Sequence, residues 1–292
     1  AHWGELKPYI QLDQTLNDKQ HQRWQHMRNS VESQFVALVA PKILIRTAYQ
    51  LDQRQRRNAF FEEQITQHQD LLWANSAYRY ASAIIKSFAE SGWFLHIRNP
   101  LPAQSSYTIA PSTADFTFNI GKAQTECYIT EQLEQHLNAI GLITARHFKI
   151  SHQLAFYAQS TLHQPHFYNH IEVDQNAYMS AQMPYLLCAS RFAQTIKMIL
   201  RDKVGSYTSA EDCQMQLQQW LLTYCSSADS PSSDHLIRYP LNAANVEIKS
   251  MPYQPGHYQC IIQIKPHCML AAIDTTLKLI SSVQLQTVVG AT

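Results

Sequence analysis

Glycine is scarce in this sequence, and the few glycines are scattered. Seven occur among 292 residues. They are Gly4, Gly92, Gly121, Gly141, Gly205, Gly256 and Gly290. The Gly-x-Gly-x-x-Gly turn of dinucleotide enzymes and the phosphate-cradling loop of P-loop proteins both need glycines a few residues apart. Nucleotide enzymes of these two kinds are therefore disfavoured.

Charged side chains are few as well. They make up 15% of the residues, and the net charge is +1. Nucleic-acid binding would need a basic face, and binding to anionic lipid would need a polybasic cluster. We therefore expect no nucleic-acid partner. Because charge is depleted at the centres of protein interfaces, the low charge is consistent with a surface that neighbouring subunits cover.

The chain lacks long apolar runs and secretion signals. No apolar run reaches the roughly 18 residues that a membrane-spanning helix needs, so we expect no membrane insertion. The first residues, Ala1-His2-Trp3, show no signal-peptide pattern and no initiator Met, which suggests part of a longer cytoplasmic protein. The six cysteines include no Cys-x-x-Cys pair. We expect them to be reduced and mostly buried, as in a cytosolic protein.

Apolar residues recur at helical spacing in several segments. This spacing predicts helices over residues 69–91, 185–203 and 209–225, and a strand–helix–strand unit over 126–148. In the first helix the predicted buried stripe is Trp73, Ala77, Tyr80, Ala81, Ile84 and Phe88. Gly92 follows the first helix, where the left-handed residue after a helix is expected, and Gly141 is expected to end the helix of the strand–helix–strand unit.

The C-terminal end alternates apolar and polar residues, the pattern of half-buried strands. It predicts strands over 245–250, 257–265 and 275–288, and a further strand is expected at 93–98. Strands mixed with helices in this way predict an α/β (α+β) protein with mixed sheets, packed helices and a β-rich C-terminal region.

Three sets of residues are candidates for chemistry. His163, His166 and His170 lie within eight residues and could gather around zinc, but Pro165 and the aromatic residues between them favour a polar loop. Two further candidate sets are Cys260 with His267 and Cys268, and Cys127 with His147. Neither has a recognised signature, and the strand pattern places Cys260 on an apolar face. We expect no enzyme and no cofactor, and keep an uncharacterised α/β hydrolase or metal enzyme using the His-rich loop as the alternative.

Several blocks carry the motifs of a known family, in that family's order. Residues 184–206 are similar to its LPY-x-L-x-x-SRFAHYLK…RDKIGS helix, and residues 239–248 to YPL…A-x-VEV. Residues 255–279 are similar to PG-x-Y…L-x-PH…SLRLV, and residues 68–75 to HEDYLWGN. The chain thus resembles the C-terminal part of the large contractile-sheath subunit of the bacterial type VI secretion system, the TssC/VipB family.

The resemblance implies a structural role and a set of partners. Members of this family form heterodimers with a small sheath subunit, TssB/VipA, and stack with further copies of themselves around an inner tube of Hcp. Contraction propels the tube, the sheath meets a baseplate, and the AAA+ ATPase ClpV recycles it. On this basis we expect a middle sheath domain over 1–204 and a C-terminal inner-wall domain over 205–292.

The resemblance also implies where neighbouring subunits meet. Sheath protomers of this family are linked by strand exchange in a shared sheet, and the last strands fit that role because an exposed strand edge accepts an incoming strand. The residues expected in intersubunit strands are Tyr258, Cys260, Ile262, Ile264, Leu277 and Leu279. Glu211 and Asp212, on the exposed face of the helix at 209–225, are the candidate contacts to the inner tube.

Overall fold

The fold was analysed in a computed structural model of the chain. It describes residues 21–46, 63–64, 70–94, 97, 125–148, 153–203, 210–226, 235, 238–250, 257–266 and 277–284.

Helices and strands are mixed along the described chain, which confirms the predicted α/β class. The helices are α1 Gln22–Asn29, α2 Ala77–Ser91, α3 Glu131–Ala139, α4 Ile171–Ser180, α5 Met183–Lys203 and α6 Ala210–Leu222, with a 3₁₀ turn at Val31–Phe35. The strands are β1 Leu38–Ala40, β2 Ile43–Leu44, β3 Trp73–Ala74, β4 Leu142–Thr144, β5 Arg146–Phe148, β6 Gln153–Ala155, β7 Leu241–Ser250, β8 His257–Pro266 and β9 Leu277–Gln284. Among these described helices, none has the length and apolar character required to cross a membrane.

Two compact units make up the chain. Unit 1 contains Ala1–Lys86 and Ile97–Gln164, and unit 2 contains Ser87–His96 and Pro165–Thr292. The boundary predicted between residues 204 and 205 separates a middle sheath domain from an inner-wall domain, a division by role in the sheath. It stays a prediction.

Unit 1 is built from short paired strands around helix α3. Strand β1 pairs in parallel with β4, while β2 pairs with β3 and β5 with β6 in antiparallel fashion. The side chain of Thr130 accepts a hydrogen bond from the Leu133 backbone N–H at 3.2 Å and so caps the start of α3. Leu133 and Leu137 then bury the inner stripe of the helix together with Ile129 and Ile140.

A buried arginine ties α1 to the end of α3. Arg28 Nη2 donates to the Ala139 carbonyl at 2.8 Å, and its Nε donates to the Leu162 carbonyl at 3.2 Å. Ala139 is the last residue of α3, where backbone carbonyls lack helical partners and a cation is favoured by the helix dipole. Arg28 therefore stabilises this helix end and joins three segments that are distant in sequence.

Unit 2 has a larger core, in which α5 and α6 cover the sheet β7–β8–β9. The buried side chains are Trp93, Cys188, Phe192, Ile196, Leu200, Cys213, Leu217, Leu221, Leu241, Val246, Cys260, Ile262 and Ile264. Helix α5 packs against β9, and α6 packs against β7. The apolar residues whose spacing predicted these two helices are buried, as Phe192, Leu217 and Leu221 show, each at most 1% exposed.

Aromatic rings fill one end of this core. Trp93 stacks on Phe192 with ring centroids 4.7 Å apart, and Tyr224 meets both rings edge to face. Trp220 contacts Phe192 and Tyr224 in the same manner. The Arg191 guanidinium lies over the Trp93 ring at 5.0 Å, a cation–π contact that extends the cluster toward solvent.

Helix α2 differs from its prediction. It begins at Ala77, because Trp73 and Ala74 pair with β2 as a strand and the Asn75 side chain accepts from the Ala77 N–H at 2.9 Å. Its buried side is formed by Tyr80, Ala83 and Ser87. The predicted stripe is wrong at Ala81 and Phe88, which are exposed because the helix is rotated relative to it.

Two predicted strands, the one over 93–98 and the one that begins the 126–148 unit, are not found in the residues that the structure describes. Residues 92–94 make a bend, held by Ser87 Oγ donating to the Trp93 carbonyl at 2.9 Å. Residues 126–130 are likewise irregular, and the preceding Thr125 makes only an isolated bridge to Ile43. At the first place a side-chain hydrogen bond, and at the second a single bridge, is found where a strand ladder was predicted. The apolar content of a segment does not predict such hydrogen bonds.

Gly92 adopts left-handed backbone angles, as predicted, and so does Gly141, but their surroundings differ. Gly141 has φ +85°, and an added Cβ would lie 3.1 Å from Leu162 Cα and 3.2 Å from the Thr161 and Leu162 carbonyl oxygens. Gly92 has φ +75°, with nothing within 4 Å of an added Cβ.

We expect Gly92→Ala to lower the free energy of unfolding by about 1–2 kcal/mol, the cost of a left-handed L residue. Gly141→Ala should cost roughly 1–3 kcal/mol more, because its methyl group meets rigid backbone in a packed region. Urea denaturation of both variants measures the difference. Equal losses for the two alanines would contradict the close approach at Gly141.

Candidate assembly site: the C-terminal sheet and its edges

The C-terminal sheet has three strands in the order β7–β8–β9, all antiparallel. Strand β8 is central and pairs along its length, with Ile262 opposite Val246 on one side and opposite Leu279 on the other. Within the described residues the sheet ends at β7 on one side and at β9 on the other. It therefore has two edges, and these decide whether a further strand can be added.

The two faces of the sheet differ in character. Val246, Cys260, Ile262 and Ile264 are each at most 2% exposed and point into the core of unit 2. The opposite face is polar, with Asn245, Glu247, Lys249 and Gln263 exposed. The predicted alternation along β7 and β8 is therefore confirmed, and these two strands bury their core-facing side chains while the opposite face is largely exposed.

The residues expected in intersubunit strands lie in this sheet. Cys260, Ile262 and Ile264 fill the core of their own unit, so their side chains pack against residues of the same chain. The backbone of Tyr258 pairs with Val283, Leu277 with Ile264, and Leu279 with Ile262. The side chains of Tyr258, Leu277 and Leu279 lie outside the described residues. These strands pair with one another in one chain, and their pairing with a neighbour stays a prediction.

Side chains of α6 occupy the outer edge of β7. Gln218 accepts from the Val246 N–H at 2.8 Å through Oε1, and its Nε2 donates to the Ala244 carbonyl at 2.9 Å. Gln214 Oε1 accepts from the Ile248 N–H at 3.0 Å. These three backbone groups point away from β8, at the side where a fourth strand would pair.

The start of β7 is covered by backbone. Leu241 donates to the Tyr224 carbonyl at 3.1 Å and accepts from the Ser226 N–H at 2.9 Å, forming a short parallel bridge with the segment after α6. Together with the two glutamines, this bridge engages five backbone groups on the edge of β7 between Leu241 and Ile248.

The hydrogen bonds on β7 also fix which backbone groups of β9 point outward. In an antiparallel ladder, the N–H and C=O of one residue face the same neighbour, and successive residues alternate. Since Val246 faces away from β8, its partner Ile262 faces β9, where it is opposite Leu279. The N–H and C=O of Leu279 therefore face β8 and pair with it.

Continuing the alternation along β9 separates its residues into two sets. The residues that face β8 are Leu277, Leu279, Ser281 and Val283. The residues that face outward are Lys278, Ile280, Ser282 and Gln284. Within the described chain no strand pairs with this outward row. The β9 edge thus presents the donors and acceptors that an added strand uses.

The two acids predicted to contact an inner tube lie in the first turn of α6. Glu211 and Asp212 are both exposed, and two apolar side chains share the solvent side of the helix, Met215 at 55% and Leu222 at 51% exposed. The placement on an exposed face agrees with expectation, while the contact itself stays a prediction. Acidic side chains in the first turn also stabilise a helix through its dipole.

The histidine candidates do not form a metal centre in the described residues, where no group of three or more His, Cys, Asp or Glu side chains is arranged to hold an ion. His163 Nδ1 lies 3.0 Å from Ser33 Oγ and 3.1 Å from the Ser30 carbonyl, so a local hydrogen-bond network engages it. His166 meets the Tyr168 ring edge to face at 4.9 Å. His267 and Cys268 lie outside the described residues.

The cysteine candidates are poor nucleophiles. Burial raises the pKa of Cys188 to about 12. Burial, with a smaller effect of Cys213, raises the pKa of Cys260 to about 11. Burial and the nearby Glu126 raise the pKa of Cys127 to about 11, and the side chain of His147 lies outside the described residues. Because the thiolate is the reactive species, these thiols stay protonated and unreactive near neutral pH.

Comparison with known proteins accounts for nearly the whole chain. A family model described as the EvpB/VC_A0108 tail sheath N-terminal domain matches residues 1–163. A second, described as the EvpB/VC_A0108 tail sheath gpW/gp25-like domain, matches residues 172–283. The chain belongs to this tail sheath family. The resemblance found in the sequence motifs is thereby confirmed.

A curated relative and a solved structure are also similar. The chain is 30% identical over 285 residues to the type VI secretion system sheath protein TssC1 of Pseudomonas aeruginosa. The match covers 96% of this chain and 57% of the relative, so the chain spans little more than half of that relative's length. A chain in the baseplate structure of the anti-feeding prophage aligns with a TM-score of 0.43 and 10% identity, covering 97% of this chain and 70% of that chain.

Sequence reasoning missed Gln214 and Gln218. Helix α6 also carries the exposed Gln216 and Gln219, and composition does not distinguish the two pairs. A signal was present in the spacing, because Gln214 and Gln218 flank Leu217 on the buried side, whereas Gln216 and Gln219 lie on the solvent side. Polar side chains beside a buried stripe face the neighbouring element and not water.

Adjacent serines test the assignment of the β9 edge. Proline removes a backbone donor and is tolerated only where the N–H points away from the ladder. We expect Ser281→Pro to lower the stability of unit 2 by about 1–3 kcal/mol, because its N–H faces β8 and an acceptor on that strand would lose its partner. Ser282→Pro should cost much less. Thermal denaturation by circular dichroism makes the comparison, and the reverse order would show that the alternation along β9 is inverted.

Proposed function

We propose that this chain is a structural part of a type VI secretion contractile sheath, acting as a subunit of a helical tube and not as an enzyme. Membership of the tail sheath family supports this proposal, as does the 30% identity to a type VI sheath protein. The observation that carries the assembly mechanism is the outward row of backbone groups on β9.

The proposed partners follow from the sheath role. They are a small sheath subunit of the TssB/VipA kind, further copies of this chain, an inner tube of the Hcp kind, a baseplate, and an AAA+ ATPase of the ClpV kind that recycles the sheath. Such a sheath assembles in the bacterial cytoplasm. The alternative of a hydrolase or metal enzyme is not favoured, because the chain belongs to the tail sheath family and is 30% identical to a type VI sheath protein.

Strand addition at β9 is the proposed link between subunits. An edge strand gains main-chain hydrogen bonds when an extended segment pairs with it, and these bonds require no particular side chains. The opposite edge is already occupied by Gln214, Gln218 and the bridge at Leu241, so β9 is the available edge. The occupant we propose is a strand from a neighbouring sheath subunit.

The same geometry selects the variant that tests this link. Ile262 is unsuitable for proline, because it lies buried in the central strand and its loss would disrupt the core. Ser282 faces outward on β9, so Ser282→Pro removes a donor that an incoming strand would use and that no described strand bonds.

We expect Ser282→Pro to keep its helical circular dichroism signal but to form no tubes with the small sheath subunit in negative-stain electron microscopy. Ser282→Ala, which keeps the backbone donor, is the matched control and should form tubes normally. Normal tubes from the folded proline variant would contradict strand addition at β9.

Contact with the inner tube is the second part of the proposal, and it is assigned to the exposed start of α6. A sheath must release its tube on contraction, so each contact has to be modest. Exposed ion pairs supply only about 0–1 kcal/mol each, and many copies along a tube add up. Glu211 and Asp212 meet this requirement because both are exposed.

Charge reversal separates this contact from a purely local effect on the helix. We expect Glu211→Lys with Asp212→Lys to reduce inner-tube loading into assembled sheaths, measured by electron microscopy, with only a small loss of helix content. Positive charge at the start of α6 also lowers the stability of the helix by a fraction of a kcal/mol, because it opposes the helix dipole. Unchanged loading with a lowered melting temperature would show that the acids serve the helix alone.

A further inference from the structure

We infer that Gln214 and Gln218 are specificity residues that close the β7 edge, so that strand addition to the C-terminal sheet is confined to β9. The inference deepens the proposed function, since it explains why assembly would use one edge of the sheet. The observations that support it are nevertheless the hydrogen bonds at the edge of the C-terminal sheet, and its test requires no assembled sheath.

The Gln218 side chain takes the place of one residue of a missing strand. Its carboxamide accepts from Val246 and donates to Ala244, at 2.8 and 2.9 Å. A neighbouring parallel strand would bond the same two groups with the C=O and N–H of one of its residues. A single side chain therefore satisfies two backbone groups that an incoming strand would otherwise take.

The spacing of the two glutamines matches the repeat of the strand. Residues four apart on a helix rise by about 6.0 Å, and alternate residues on an antiparallel strand are about 6.8 Å apart. Gln214 bonds Ile248 and Gln218 bonds Val246, so a four-residue step on α6 spans a two-residue step on β7. A helix running alongside an edge can thus occupy successive outward positions.

Packing holds the glutamines in place. Cys213, Leu217 and Leu221 are at most 2% exposed and fix α6 against the core, and α6 packs directly on β7. The side chains of Gln214 and Gln218 are half-buried, so water competes less for these bonds than at an exposed edge. Closed edges of this kind prevent unwanted pairing between chains.

The glutamines of the opposite side provide a matched control. Gln214→Ala with Gln218→Ala frees Ala244, Val246 and Ile248, whereas Gln216→Ala with Gln219→Ala removes two exposed amides from the same helix. Both pairs are made in chains carrying Ser282→Pro, which disables the β9 edge. Sedimentation velocity of each purified chain, across a tenfold range of concentration, measures self-association.

We expect the sedimentation coefficient of the Gln214/Gln218 double variant to rise with concentration, and that of the Gln216/Gln219 variant to match the Ser282→Pro parent. Adding Ile248→Pro, which removes an outward donor of β7, should reverse the association. If the double variant loses its circular dichroism signal, Gln218→Ala against Gln219→Ala makes the same comparison with one amide.

Equal behaviour of the folded inner and outer variants would overturn the inference, as would association that Ile248→Pro leaves unchanged. Neither result concerns tube formation. Conversely, a sheath that assembles normally from Ser282→Pro chains would refute the proposed link at β9 and leave closure of the β7 edge intact.

Discussion

A β-sheet with unpaired edges must satisfy or expose its outermost backbone N–H and C=O groups, and this constraint organises the C-terminal unit. The two edges meet it differently. On β7, Gln214, Gln218 and a backbone bridge at Leu241 bond five of the outward groups. On β9, no described strand does so. The two edges therefore differ, and a chain of this kind would add strands at one edge of the sheet.

The open and closed edges depend on the core beneath them. Leu217 and Leu221 anchor α6, and Ile262 and Ile264 anchor the central strand, so the helix and the edge of β7 are held at a fixed distance. Burial of these apolar side chains, worth about 1.5–3 kcal/mol each, supplies the stability. The amide bonds contribute less, and their role is to decide where pairing can occur. Stability and specificity thus come from different residues of the same helix.

Periodicity in the sequence was enough to predict the helices α5 and α6, the three C-terminal strands and the buried set around Cys260. It failed where hydrogen bonds decide the conformation, as at residues 126–130, and it misjudged the rotation of α2, where Phe88 is exposed. The glutamines were missed for a related reason. Gln218 and Gln219 are identical in type, and only the position of β7 beside the helix gives Gln218 its partners.

Backbone hydrogen exchange tests the asymmetry of the two edges most directly. In the isolated chain, the outward amides of Val246 and Ile248 should exchange slowly because the glutamines accept from them. The outward amides of Ile280 and Ser282 should exchange rapidly, and become protected once the small sheath subunit is added. Rapid exchange at Val246 and Ile248, or protection of Ile280 and Ser282 without a partner, would contradict a sheet with one closed and one open edge.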